Sequence, residues 1–109
     1  MILRLLGKGG SGVGECPSLY VSDGGSYVVQ GWQTAQLGTV EIPHLLLGFA
    51  EPDTFVGAML TDTGRGTFTL SGRPVAEEST LKQLDMAADE RAIEVPKLGR
   101  NFCGASPAR

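Results

Sequence analysis

Polar ends enclose apolar positions in two glycine-bounded segments of this chain, Gly25-Ser26-Tyr27-Val28-Val29-Gln30-Gly31 and Gly66-Thr67-Phe68-Thr69-Leu70-Ser71-Gly72, and the second alternates strictly. Period-two alternation marks a strand that turns one face to a core. In the second segment Phe68 and Leu70 face inward while Thr67, Thr69 and Ser71 face outward. In the first, Tyr27 and Val29 share one face, and Val28 and Gln30 share the other. Asp23-Gly24-Gly25 supplies the positive φ angles of a tight turn, which predicts a hairpin of strands over 19–22 and 26–32. A turn over 61–66, after a strand expected over 54–60, plays the same part for the second segment.

A second pair of segments matches in the same order. Val40-Glu41-Ile42-Pro43 returns as Ile93-Glu94-Val95-Pro96, and both predict short strands. The offset is 41 from Gly25 to Gly66 and 53 from Pro43 to Pro96. The second half therefore carries extra residues, which fall near 76–89. The pattern predicts two similar halves, over about 18–43 and 55–96, each running turn, strand, glycine, connection, strand, proline.

Helices are predicted in two places. Pro43 suits the first turn of a short helix over 44–51, which Pro52 stops. Residues 77–86 form the better candidate, with Glu77 and Glu78 at the positive end, Leu81 and Leu84 as the buried stripe, and Glu78 one turn before Lys82. An apolar first strand is expected over 2–6. It is followed by a mobile glycine-rich loop over 7–14. The fold class expected is α+β: an antiparallel β-rich single domain over 1–97, one sheet or partly closed barrel with two short helices, then a flexible tail over 98–109.

Composition narrows the function classes. The chain has 109 residues, 41% of them hydrophobic and 19% charged, which suits one globular domain. A net charge of −3, with nine basic residues scattered along the chain, argues against a nucleic-acid partner. No stretch reaches the roughly 20 apolar residues that a membrane helix needs. The apolar run over 2–6 is too short for the core of a signal peptide, so a cytoplasmic location is expected. Cys16 and Cys103 are accordingly expected to be free thiols.

Candidate chemistry is sparse. Gly7, Gly9 and Gly12 fit G-x-G-x-x-G, but Gly14 and Pro17 follow where a dinucleotide site needs a helix. Lys8 is followed by glycine rather than Ser or Thr, which excludes a P-loop. His44 is the only histidine, and the two cysteines lack metal-ligand spacing, so neither a metal nor a cofactor is expected. No nucleophile elbow accompanies His44, and no catalytic set emerges. Asp85, Asp89 and Glu90 read as solvating a helix end, and Glu41 and Glu94 as the outward face of half-buried strands. Trp32, the lone tryptophan, and Arg73 occupy matching places after the two repeated strands. Tryptophan concentrates binding energy at interfaces, so both are candidate partner contacts.

The segments at 25–32, 40–43 and 62–68 resemble a group of small actinobacterial proteins of uncharacterised function, often encoded near helix-turn-helix regulators. The resemblance covers roughly 18–97. It implies a longer connection after the tryptophan in relatives than this chain has, and it implies no catalytic residues. The leading expectation is a cytoplasmic accessory or regulatory protein acting through protein–protein contacts, with a regulator or a second copy as partner. The alternative is a small-molecule-binding protein or enzyme that uses a cavity between the halves, with His44, Tyr27 and Glu94 as its polar groups.

Overall fold

Strands form where alternation and turn residues direct them. A computed structural model describes residues 1–9 and 17–100. Its strands are β1 (Leu3–Lys8), β2 (Ser18–Ser22), β3 (Ser26–Gln33), β4 (Thr39–Pro43), β5 (Thr54–Val56), β6 (Thr61–Asp62), β7 (Thr67–Ser71), β8 (Arg73–Pro74) and β9 (Glu90–Gly99). A 3-10 helix spans His44–Phe49, and α1 spans Glu78–Leu81. Every strand pairing is antiparallel, so the domain is an antiparallel β-sheet with two short helices.

The pairing runs in a circuit. β3 pairs with β4, β4 with β7, β8 with β9, and β9 again with β3. β7 and β8 are separated only by Gly72, so one stretch of chain serves both β4 and β9. β2 lies beside the first part of β3, and β1 lies beyond β2.

This arrangement buries both faces of β3. Tyr27 and Val29 join the main core with Leu19, Val40, Ile42, Leu70, Ile93 and Val95. Val28 joins a second cluster with Tyr20, Val75 and Ala92, covered by Leu81, Leu84 and Met86. β2 is buried at all five positions for the same reason. A strand covered on both sides has no polar face, which explains why Tyr27-Val28-Val29 breaks the simple alternation.

Several boundaries differ from expectation. β1 continues through Gly7 and Lys8, so the glycine-rich stretch is ordered at its start. A side chain at Gly7 would meet the Phe49 ring at 2.2 Å, so glycine here makes room for an aromatic. The Gly9 N–H donates to the Pro17 carbonyl at 2.9 Å. The remainder of that stretch, with Cys16, lies outside the described residues, as do Phe102 and Cys103. β9 runs to Gly99, two residues past the expected end of the domain, and pairs there with β5.

The helix expected over 77–86 is a single turn, Glu78–Leu81. Beyond it the chain goes on in local turns to Leu84, whose N–H donates to the Leu81 carbonyl, and then leaves helical geometry. The Gln30 side chain donates to the Asp85 carbonyl, and the Ala87 N–H donates to the Glu90 carboxylate. Leu84 and Met86 still pack on the second cluster without helical spacing. Glu78 and Lys82 form no ion pair; Glu77 pairs instead with Arg73. The Gln83 side chain ties this segment to β1, accepting from the Leu3 N–H and donating to the Met1 carbonyl.

Candidate functional site

Position on the sheet decides what each candidate side chain can do. Trp32 sits near the end of β3, opposite Glu41 of β4 and Glu90 of β9. It is half-buried, neither a projecting anchor nor part of either core cluster. Arg73 stands opposite Glu94, and its guanidinium donates to the Glu94 and Glu77 carboxylates. The other Glu94 oxygen accepts from the Ser26 hydroxyl at 2.6 Å. Ser26, Arg73, Glu94, Val95 and Pro96 border a shallow depression of about 300 Å³. Two candidates from opposing readings thus meet as one ion pair.

The three polar groups of the small-molecule reading fall in separate settings. Tyr27 is fully buried, and its hydroxyl is occupied by the Glu51 N–H and the Thr54 hydroxyl. His44 lies at the surface, stacked on Phe68 at 4.0 Å between ring centres, with Nε2 3.5 Å from the Asp62 carboxylate. Glu94 belongs to the Arg73 pair. Among the described residues no hydroxyl hydrogen-bonds the His44 ring, and no group of three His, Cys, Asp or Glu side chains could hold a metal ion.

Ion pairing shapes the surface. The Thr67 hydroxyl and the Arg65 guanidinium hold the Glu41 carboxyl below its ordinary value of 4.5. Ser26 and Arg73 do the same for Glu94, and Lys97 and Arg4 for Glu51. A lowered folded-state pKa means the ionised form favours the fold. That contribution is complete above the ordinary value of 4.5 and disappears as pH falls through it toward the lowered values. Melting temperature is therefore expected to hold steady from about pH 7 to about pH 5 and to drop below that, less steeply in high salt. A melting temperature that stays flat through the acidic range would contradict these pairings.

One buried carboxylate was not legible from sequence. Glu90 is only 1% exposed, and its Oε1 accepts from Gln30 Nε2 at 2.8 Å and from the Ala87 N–H at 3.0 Å. Its Oε2 has no hydrogen-bond partner. The run Asp85, Asp89, Glu90 therefore does not act uniformly as a solvated helix end. Asp85 and Asp89 are exposed, whereas Glu90 pins the segment to β3.

Two apolar concavities stand out among the described residues. The first, about 570 Å³, is shallow and lies around Leu47, Phe55, Met59, Leu60 and Leu98. Sequence reasoning missed it because its residues come from the 3-10 helix, β5, the following loop and the end of β9. The second, about 520 Å³, lies between the connection after β3 and the segment from Pro74 to Met86.

Fold and surface together define a small antiparallel β-sheet domain with two short helices and apolar surface depressions. Comparison with protein-family models, curated proteins and solved structures finds no match. Among the described residues no helix is long and apolar enough to cross a membrane.

Proposed function

We propose that this chain is a cytoplasmic accessory protein that works through protein–protein contacts. The observation that carries the reading is the exposed apolar group around the first concavity. Met59 is 86% exposed, Leu98 45% and Phe55 43%, and they adjoin Leu47 and Leu60. A contiguous apolar patch at the surface is the usual mark of a docking face. The leading contact residues thus move from Trp32, which is half-buried, and Arg73, which is engaged by two glutamates, to this face. The sequence resemblance to actinobacterial proteins encoded near helix-turn-helix regulators makes a regulator the partner of choice.

The same reading takes the chain as two equivalent halves. Its support is the register. Tyr27 and Val29 face Val95 and Ile93, while Phe68 and Leu70 face Ile42 and Val40. Trp32 faces Glu41 as Arg73 faces Glu94, and Ser26 donates to Glu94 as Thr67 donates to Glu41. Each correspondence keeps the offsets of 41 and 53 read from the sequence.

The test is Phe55→Asp combined with Met59→Asp. Both side chains are exposed, so the melting temperature should change little. Partners captured by the wild-type protein should be lost, with affinity falling about 30-fold or more as for truncated hot spots. An unchanged set of captured partners would contradict this face.

A further inference from the structure

The second concavity carries a different inference, independent of any protein contact. Its floor is apolar, built from Val75, Leu81, Met86 and Ala92, and Leu37, 88% exposed, stands at its edge. At about 520 Å³ it falls within the range of small-ligand sites, roughly 300–1,000 Å³. One charged residue, Arg91, borders it, together with Gln33 and Gln36.

Arg91 is unlike most cations of this surface. Arg4, Arg65, Arg73, Lys97 and Arg100 all pair with carboxylates. Lys8, Lys82 and Arg91 have no carboxylate partner among the described residues, and of these three Arg91 borders the concavity. Its Nη1 donates to the Ala88 and Glu90 carbonyls, at 3.0 and 2.6 Å, which holds the guanidinium in place. Nε and Nη2 have no hydrogen-bond partner among the described residues. That edge is the one a carboxylate engages with two parallel hydrogen bonds.

We propose that this concavity binds a small amphipathic carboxylate, its chain against Val75, Leu81 and Met86 and its head group on Arg91. A single guanidinium matches a single negative charge. The apolar floor supplies most of the affinity, and the bidentate pair supplies the preference for an acid over a neutral analogue.

The experiment titrates the full chain with octanoate and, separately, with octanol, following backbone amides by NMR. Octanoate should give saturable shifts centred on Val75, Leu81 and Met86. Octanol, with the same chain and no charge, should bind about tenfold more weakly. Arg91→Gln should weaken octanoate by about the same factor while leaving octanol unchanged. Ala76→Trp, at an exposed position bordering the concavity, should block both. Three outcomes overturn the proposal: no saturable shift with octanoate, shifts centred on Phe55, Met59 and Leu98 instead, or equal affinity for acid and alcohol. The comparison of acid with alcohol on the wild-type protein needs no variant to fold.

Discussion

Tyr27→Ala is expected to lower stability by about 3–5 kcal/mol, because removing a large buried side chain leaves a cavity that its neighbours fill only in part. Tyr27 is fully buried near the start of β3, between β2 and β9, within the main core. Its hydroxyl also accepts from the Glu51 N–H at 2.7 Å and meets the Thr54 hydroxyl. These bonds hold the turn before β5 against the sheet. Tyr27→Phe separates the two effects. It keeps the ring and strands the Glu51 N–H, which should cost about 1–3 kcal/mol. In a chain of this size each kcal/mol moves the melting temperature by about 4–8 °C, so thermal melts of both variants distinguish them. If Tyr27→Phe melts like wild type, the hydroxyl contributes nothing, and the anchoring of the Glu51 turn has been misread.

Gly31→Ala and Gly72→Ala are expected to destabilise by about 1–3 kcal/mol each, toward the upper end of what overpacking costs. A methyl at Gly31 would lie 2.7 Å from the Glu41 carbonyl oxygen and 2.8 Å from Ile42 Cγ2. At Gly72 it would lie 2.6 Å from the Glu94 carbonyl oxygen and 2.7 Å from Val95 Cγ1. Backbone oxygens in a paired strand cannot move aside as a flexible side chain can. Losing glycine's freedom in the unfolded chain returns only about 0.4–1 kcal/mol, so the clash prevails. If the two halves are equivalent, the two losses should be of similar size. Loss at one position and gain at the other would count against that equivalence. Denaturant melts give both numbers directly.

Legibility in the sequence followed the range of the interactions involved. The hairpin around Asp23-Gly24-Gly25 and the strand at 67–71 were readable because a turn and its alternation are encoded within a few residues. The likeness of the segments holding Glu41 and Glu94, and of those holding Gly31 and Gly72, was readable at offsets of 53 and 41. Which strands they join was not. The long β9 was underestimated because its end is stabilised by β5, some 40 residues earlier in the chain. The helix at 77–86 was overestimated, since propensity and spacing favour it locally while Gln30, 55 residues earlier, claims the Asp85 carbonyl. Trp32 conveys the same point from the functional side. Its residue type suggested an anchor, but its place between Glu41 and Glu90 leaves it half-buried, and Met59 and Phe55 present the exposed apolar surface.

By itself the sequence determined the class of the domain and its main strands and turns. Those properties rest on residue type and short-range periodicity, which any stretch of chain carries with it. Only the tertiary structure decided the pairing circuit, the burial of β3 on both faces, the dispersal of His44, Tyr27 and Glu94, and the two apolar concavities. Each of these depends on which distant segments meet. Side chains separated by tens of residues become one surface only when hydrogen-bonded strands bring them to the same edge of the sheet.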